Sequence, residues 1–323
     1  MDRVSTSSKK AAFATLLGRP SAGKSTLVNL LCGEQIAIVS PVPQTTRNAI
    51  RGIVNNELGQ LVLVDTPGLH KSDKKFNKRL DETAFRAASE SDIILYVMDA
   101  SRAPGPEEEA IAERCRELLL KLPQADGNGN LVVAVNKMDL PSADLSRAEE
   151  FIAVRFPDID KKLVIPISAR QNEGADKLLS ALYGIAPTGD PFYPEDFYTD
   201  QEIDFRIAEI IRGAAIKFLH QELPHSIYVE VADRELRSPD PATPGQEKNT
   251  NQRLWVRAFI ICERESQKGM IVGKGGKIIK SIGEMSRKEM NRIFDWKVDL
   301  DLRVKTGKDW RHNDRLLQKL LDR

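Results

Sequence analysis

The fold is decided by the stretch Gly18-Arg19-Pro20-Ser21-Ala22-Gly23-Lys24-Ser25, which has the pattern G-x-x-x-x-G-K-[ST] between an apolar run and a helical pattern. Glycines in such a loop let backbone N–H groups turn inward around phosphate oxygens, and the N-terminus of the following helix adds the positive end of its dipole. Lys24 can reach the terminal phosphates of a nucleotide, and the Ser25 hydroxyl can ligate magnesium. The stretch therefore predicts a phosphate-binding loop at a strand-to-helix junction.

Outward from this loop, strand-like runs alternate with helical patterns. The runs Ile93–Asp99, Leu131–Asn136 and Leu163–Ser168 are apolar and are separated by segments with helical periodicity. Arg47–Asn55 and Gln60–Asp65 favour a hairpin, because a turn-forming Asn-Asn-Glu-Leu-Gly stretch joins them. This order predicts an α/β domain whose mainly parallel sheet has helices on both sides.

Asp65-Thr66-Pro67-Gly68 comes directly after an apolar run that ends at Val64. An Asp at the buried end of a strand is costly unless a cation or hydrogen-bond donors meet it, and beside a phosphate loop that cation would be magnesium, held through water. Gly68 could give its N–H to a γ-phosphate. D-T-P-G alone is also an ordinary β-turn, so this prediction depends on the phosphate loop.

Two further motifs, Asn136-Lys137-Met138-Asp139 and Ser168-Ala169, also follow predicted strands. Guanine presents N1–H and N2–H donors on one edge, and an ionised Asp139 can accept both, whereas adenine would leave this carboxylate unpaired. Asn136 can bind the base and join loops, the Lys137 stem can cover the base, and the backbone after Ser168 can reach guanine O6. These motifs favour GTP and GDP, with ATP as the second choice.

Four motifs at the ends of predicted strands fall where open α/β sheets bind ligands. We expect Mg²⁺ to be held by Ser25, Thr46 and, through water, Asp65. The expected nucleotide-binding residues are Gly18, Arg19, Pro20, Ser21, Ala22, Gly23, Lys24, Ser25, Thr26, Asp65, Thr66, Pro67, Gly68, Asn136, Lys137, Met138, Asp139, Ser168 and Ala169.

The catalytic residues are less defined. Leu69 and His70 follow Gly68, so the water-orienting Gln of some GTPases is absent there. The candidates are Gly68 and Thr46, the latter in a loop that could close on magnesium, although Thr46 could also reflect β-propensity alone. His70 is either a water-orienting residue or an ordinary loop histidine. We expect GTP hydrolysis with a slow intrinsic rate.

The carboxyl-terminal part of the chain is basic. Residues Arg253–Arg323 contain 18 Lys and Arg against 10 Asp and Glu, whereas the preceding residues contain 30 against 37. Within this part, Gly273-Lys274-Gly275-Gly276 has the pattern G-x-x-G between two helical patterns, and such a turn can clamp a single-stranded RNA backbone. Neighbouring isoleucines would form an apolar groove for bases, or belong to the core. The expected RNA-binding residues are Lys268, Ile271, Gly273, Lys274, Gly275, Gly276, Lys277 and Lys280.

Composition and spacing suggest the domain organisation. We expect a polar tail over residues 1–10, the nucleotide-binding domain over 11–184, a Pro- and aromatic-rich linker over 185–200 that packs against a neighbour, and a smaller α+β domain over 201–323.

The composition excludes some classes of protein. Because 41% of the residues are hydrophobic and 29% are charged, the chain is not disordered as a whole, and no apolar run approaches the roughly 20 residues of a membrane span. Three dispersed cysteines suit a reducing cytoplasm.

Together these residues resemble the Era family of bacterial GTPases over nearly the whole chain. The resemblance rests on Gly18–Thr26, Gln44–Arg47, Asp65–Gly68, Asn136–Asp139, Ser168-Ala169 and, most specifically, the run Glu263–Gly269 that leads to the G-x-x-G turn. It implies a Ras-like P-loop GTPase domain followed by a type II KH domain. It also implies binding near the 3′ end of small-subunit ribosomal RNA, a role in 30S subunit assembly, and peripheral association with the inner membrane.

The chain departs from this family in two places. Ser21 stands where the family usually has an Asn that can hold a monovalent cation, so potassium dependence is not predicted. The polar stretch Ser238–Asn251 is longer than the family's turn and suggests no role. We expect a cytoplasmic monomer whose GTP state changes its RNA binding. The alternative is a structural RNA-binding protein for which nucleotide is only a stabilising ligand.

Overall fold

The computed structural model describes residues 9–40, 42, 45–68, 80, 82, 84, 86–122, 129–237, 252–308 and 310–321. Gln44, His70 and the stretch Ser238–Asn251, which the sequence singles out, lie outside these residues. The chain divides into two compact units, Met1–Asp200 together with Gln318–Arg323, and Gln201–Leu317. None of the described helices is long and apolar enough to cross a membrane.

A mainly parallel sheet organises the first unit. Its strands are β1 (Lys10–Leu17), β2 (Ile50–Asn56), β3 (Gly59–Asp65), β4 (Ile93–Asp99), β5 (Leu131–Asn136) and β6 (Val164–Pro166). In the described part of the chain they lie in the order β2-β3-β1-β4-β5-β6, and β2 runs antiparallel to β3 while the other neighbours are parallel. β3, β4 and β5 are buried along their whole length, which is typical of strands covered on both faces.

Helices cover both faces of this sheet. They are α1 (Lys24–Cys32), α2 (Pro106–Leu119), α3 (Leu145–Arg155) and α4 (Ala175–Ile185). Leu27 of α1 packs in one buried cluster with Leu95 of β4, whereas Ile111 of α2 packs in another with the adjacent Ile94. Because successive side chains of a strand point to opposite faces, the two clusters lie on opposite sides of the sheet.

The Pro- and aromatic-rich segment after α4 packs against this sheet. Ile53 N–H of β2 donates to Tyr198 O (2.9 Å). The buried Gln60 Oε1 accepts from the N–H groups of Phe192 and Tyr193 (2.7 and 2.9 Å). The Phe13 and Phe192 rings lie 4.6 Å apart between centroids. The segment is therefore held against the sheet by its backbone and by the Phe192 ring, as its composition predicts, whereas Phe197 is exposed.

The second unit combines a sheet with helices that pack against it. Its elements are α5 (Ile203–Phe218), α6 (Leu223–Ser226), β7 (Ile227–Arg237), β8 (Arg253–Cys262), α7 (Glu265–Val272), α8 (Lys277–Ile293) and β9 (Lys297–Thr306), and a further helix, α9 (Asp314–Leu321), follows. The described strands pair in the order β7-β8-β9, with β7 antiparallel and β9 parallel to β8. Ile211 of α5, Val256 of β8 and Ile282 of α8 share one buried cluster.

Candidate functional site

A cleft of about 540 Å³ opens at the carboxyl-terminal ends of β1, β3 and β5 in the first unit. Parallel pairing brings these strand ends, and the loops that follow them, to one edge of the sheet. Of the residues that the sequence predicts for nucleotide or metal binding, the following line the cleft: Pro20, Ser21, Gly23, Lys24, Ser25, Thr26, Thr46, Gly68, Asn136, Lys137, Asp139 and Ala169. A cleft of this size suits a small molecule.

Lys24 lies buried at the base of the phosphate loop. Its Nζ donates to Gly18 O (2.9 Å) and Arg19 O (3.2 Å). Burial lowers the pKa of Lys24 to about 8, although the charges of Asp65 and Glu108 act in the opposite direction. Among the described residues, the hydrogen-bond partners of this ammonium group are two carbonyls, so it can attract an anion, and this position suits the phosphates of a nucleotide.

Ser25, Thr46 and Asp65 converge on one point beside Lys24. Asp65 Oδ2 accepts from Ser25 Oγ (2.6 Å) and Thr46 Oγ1 (3.2 Å), and the two hydroxyl oxygens are 2.9 Å apart. Asp65 Oδ1 is buried and has no hydrogen-bond partner in the described part of the chain. Burial raises the pKa of Asp65, against the effects of Lys24 and the two hydroxyls. A buried carboxylate oxygen without a donor, next to two hydroxyls, fits the oxygen ligands that Mg²⁺ prefers.

Asn136 joins the phosphate loop to the loop after β6. Its Nδ2 donates to Ala22 O (2.8 Å), and its Oδ1 accepts from Ala169 N–H (3.0 Å). Gly23 has φ +99°, and a Cβ added there would clash with Asn136 Nδ2. The glycine is therefore needed both for the left-handed backbone and for this close approach.

The three residues after Asn136 occupy one tight loop. Asp139 Oδ1 accepts from Ser168 Oγ (2.7 Å), Met138 N–H donates to Ile167 O (3.1 Å), and Lys137 has φ +70°. One carboxylate oxygen of Asp139 is thus held in place, and the residue lines the cleft. This arrangement suits recognition of the donor edge of guanine.

Other predicted nucleotide-binding residues support the cleft without lining it. These residues are Gly18, Arg19, Ala22, Asp65, Thr66, Pro67, Met138 and Ser168. Thr66, for example, donates its hydroxyl to Leu16 O (2.6 Å), and Arg19 directs its side chain to a buried carboxylate of α2. The side chains of Thr66 and Arg19 therefore hold the loops in place.

Sequence reasoning missed several residues that line the cleft. Arg170, which follows Ser168-Ala169, and Leu140, which follows Asp139, could have been found by extending those motifs by one position. Arg102 and the apolar stretch 38–39 also line the cleft but carry no motif. Their placement depends on how loops fold over the strand ends.

In the second unit, the G-x-x-G turn connects α7 to α8. Gly273, Gly275 and Gly276 all have positive φ (+73°, +62° and +74°), a conformation that L side chains rarely adopt. A Cβ at Gly273 would also lie 2.7 Å from Ile278 Cγ1. The turn is therefore specified by its glycines, and it leaves Lys274 exposed beside them.

The remaining predicted RNA-binding residues divide into exposed lysines and one core residue. Lys277 and Lys280 are exposed on α8, and Lys268 pairs with Glu265 (3.0 Å). Ile271 is fully buried in the core of the second unit. Its side chain therefore belongs to the core, one of the two places that the sequence allows for it, and its part in RNA binding stays a prediction.

Comparison with known families supports both units. Residues 13–137 match the family described as 50S ribosome-binding GTPase, and residues 222–311 match the KH domain family. GTPase Era of Treponema denticola is 45% identical over 310 residues, which cover 96% of this chain and 99% of that protein. GTPase Era of Borreliella burgdorferi is 41% identical over 313 residues, 97% of this chain and 100% of that protein.

Two solved structures are similar over the same extent. One is Aquifex aeolicus Era, as a variant bound to GDP·AlF4⁻, with a TM-score of 0.84 and 31% identity. The other is Era in complex with MgGDPNP and nucleotides 1506–1542 of 16S ribosomal RNA, with a TM-score of 0.85 and 31% identity. Each covers 97% of this chain and 98% of the solved chain. The predicted fold, a Ras-like GTPase domain followed by a KH domain, is confirmed.

Proposed function

The chain belongs to the Era family of GTPases, and from this premise we propose that it binds GTP and GDP with Mg²⁺ in the cleft, hydrolyses GTP, and binds small-subunit ribosomal RNA near its 3′ end. The observation that carries the nucleotide part is the position of Asn136. Through two hydrogen bonds it joins the phosphate loop to the Ser168-Ala169 loop, so that the phosphate end and the guanine end of the cleft are built as one site.

Each part of the cleft has a role in binding. The Lys24 ammonium would meet the terminal phosphates, and Asp139 would accept from the guanine edge. Ser25, Thr46 and, through water, Asp65 would hold Mg²⁺. When bound, Mg²⁺ neutralises charge on the phosphates. The buried Asp65 Oδ1, which has no donor among the described residues, supports this assignment.

We propose that hydrolysis is slow without a partner. Thr46 and Gly68 line the cleft and remain the candidate catalytic residues. Gly68 can offer only its backbone N–H, and Thr46 Oγ1 is occupied by hydrogen bonds with Ser25 and Asp65. Neither group is a strong base at neutral pH, so water activation would be weak and the intrinsic rate low.

The RNA part of the proposal rests on the KH match and the G-x-x-G turn. The similar Era structure holds nucleotides 1506–1542 of 16S ribosomal RNA, and the turn in this chain has the glycine conformations and exposed lysines that such a clamp needs. We propose that the protein acts in 30S subunit assembly and that its nucleotide state changes its affinity for RNA.

Phosphate release under multiple-turnover conditions tests this function against the alternative of a structural RNA-binding protein. With GTP, Mg²⁺ and an RNA fragment of the ribosomal 3′ end, we expect sustained release from the wild-type protein and none from Lys24→Ala. RNA affinity should also differ between the GDP form and a form with a non-hydrolysable GTP analogue. If GDP raises the unfolding temperature but no turnover occurs and RNA affinity is the same in both forms, nucleotide is only a stabilising ligand.

Further proposals concern the organisation and location of the protein. We propose a GTPase domain over residues 11–184, a linker over 185–200 and a KH domain over 201–323, in a cytoplasmic monomer with peripheral inner-membrane association. Family membership supports these proposals. A dimer in sedimentation equilibrium, or no binding to inner-membrane vesicles in a flotation assay, would contradict the corresponding part.

A further inference from the structure

A network of charged side chains, most of them buried, runs behind the cleft. Tyr96 Oη donates to Glu108 Oε1 (2.5 Å), and Glu108 Oε2 lies 3.1 Å from Arg19 Nε. Arg19 Nη2 donates to Asp99 O (3.2 Å), and Asp99 Oδ2 accepts from Lys137 Nζ (2.7 Å). This network therefore crosses α2, the phosphate loop, β4 and the loop after β5, and it contains two cations and two carboxylates.

Burial makes this network sensitive to the loss of any one charge. Glu108 is 0% exposed, Asp99 1% and Arg19 6%. Glu108 Oε2 has no hydrogen-bond partner in the described part of the chain, so its compensation there is the charge of Arg19. Burial raises the pKa of Glu108, while the hydrogen bond from Tyr96 and the charge of Arg19 lower it. Removing one partner of a buried ion pair strongly destabilises the folded protein.

Two members of this network, Arg19 and Lys137, belong to opposite ends of the nucleotide site. Arg19 is part of the phosphate loop, and its carbonyl accepts from Lys24 Nζ (3.2 Å). Lys137 belongs to the loop over residues 136–139 that would recognise guanine, here called the guanine loop, and it lines the cleft. Arg19, Asp99 and Glu108 do not line it. Asn136 joins the loops at the cleft itself. The contacts of Arg19 and Lys137 with Asp99 of β4 form a second connection, in which Glu108 of α2 fixes the Arg19 side chain.

We infer that Glu108 is a positioning residue: by fixing the Arg19 side chain against Asp99, it holds the phosphate loop at the distance from the guanine loop that a whole guanine nucleotide requires. This inference rests on the proposed binding of GTP and GDP. A ligand that spans both loops gains from their fixed separation, because the second contact forms at high effective concentration. A ligand that reaches only one loop gains nothing from it.

Three ligands separate positioning from a general loss of structure. GDP spans the cleft, guanosine reaches only the base end, and inorganic pyrophosphate reaches only the phosphate end. In Glu108→Gln, which keeps the side-chain shape and removes the charge, we expect the Kd of GDP to rise about tenfold, and those of guanosine and pyrophosphate to change less than about twofold. The matched control is Glu109→Gln, because the adjacent Glu109 pairs with the partly exposed Arg155 (2.6 Å) and should leave all three Kd values unchanged.

A second variant separates positioning from stability. Arg19→Met combined with Glu108→Leu and Tyr96→Phe replaces the ion pair, and the hydroxyl that donates to Glu108, by apolar groups of similar size, a change that often preserves stability. We expect an unfolding temperature close to that of the wild type with the GDP Kd still raised.

Recovery of normal GDP affinity in this triple variant would overturn the inference, and so would a parallel rise of all three Kd values in Glu108→Gln. If the wild-type protein itself does not bind GDP, the proposed function fails instead, whatever the variants do.

Discussion

The nucleotide cleft and the G-x-x-G turn both combine glycines with lysines, but they hold their polar groups differently. In the cleft, Lys24 and Asp65 are buried and are tied to carbonyls and hydroxyls before any ligand arrives. In the turn, the backbone is specified by glycines with positive φ, while Lys274 and Lys277 are exposed to solvent. The first site is organised by its interior and the second by its backbone and surface charge.

This difference predicts two kinds of sensitivity. Buried polar groups lose their solvation in advance, so removing one of them costs much and the cost depends little on salt. Exposed lysines keep their water and are screened, so each contributes little and its contribution falls as salt rises. The predictions below test this contrast, beginning with the largest expected effect.

Lys24→Ala should reduce GDP binding most. Removing the ammonium leaves phosphate charge without its partner in a buried site, which should cost about 2–5 kcal/mol of binding free energy. Isothermal titration with GDP measures this loss, and Lys177→Ala, which removes an exposed lysine of α4, is the control. Equal GDP affinity in Lys24→Ala and Lys177→Ala would show that the cleft does not bind phosphate.

Gly23→Ala tests whether the geometry of the phosphate loop matters beyond backbone strain. The added Cβ would clash with Asn136, and φ +99° disfavours alanine, so both stability and GDP affinity should fall by about 1–3 kcal/mol. Gly33→Ala is the matched control, because Gly33 has φ +70° and nothing within 4 Å of the added Cβ. Gly33→Ala should lower the free energy of unfolding and leave GDP affinity unchanged. Equal loss of GDP affinity in Gly23→Ala and Gly33→Ala would show that the close approach of Gly23 to Asn136 does not support GDP binding.

The pH dependence of GDP binding tests the burial of Lys24. Its pKa is lowered to about 8 without ligand, and bound phosphates would raise it, so binding takes up a proton above pH 8. In magnesium-free buffer, GDP affinity should therefore fall about tenfold per pH unit above pH 8 and vary little through this group below it. The change of GDP affinity with pH above pH 8 should disappear in Lys24→Ala. If it persists in that variant, the proton is taken up by another group.

The lysines of the turn should give the smallest effect. Lys274→Gln combined with Lys277→Gln should weaken single-stranded RNA binding modestly and make the slope of log affinity against log salt less steep by about 1.4, as expected for two lost phosphate contacts. Lys217→Gln, an exposed lysine of α5, should leave the slope unchanged. Identical slopes in the two variants and the wild type would move the RNA site away from the turn.

The sequence predicts the central strands well because their side chains are buried on both faces. Ile93–Asp99 and Leu131–Asn136 are strands at the predicted bounds. β6 is shorter than the predicted Leu163–Ser168: it ends at Pro166, which has no N–H for the ladder, and Ser168 pairs instead with Glu173. β7 extends to Arg237 and pairs with β8 along its length, although its exposed end carries no apolar pattern that would predict a strand.

In the candidate site, motifs predicted which loops meet but not where each side chain points. The direction of Arg19 depends on Glu108, which stands 89 positions later in the chain and belongs to no motif. Ile271 precedes the G-x-x-G turn, yet the packing of α7 against the sheet places it in the core. Such contacts are set by tertiary packing, which local patterns do not encode.

Hydrogen exchange on the whole protein, measured by mass spectrometry, tests most directly whether the chain has these two separate sites. We expect GDP to slow amide exchange over residues 18–26, 136–139 and 168–170, and an oligonucleotide of the ribosomal RNA 3′ end to slow it over residues 269–280. GDP that leaves residues 18–26 unprotected, or RNA that leaves residues 269–280 unprotected while it binds, would contradict the assignment of the two sites.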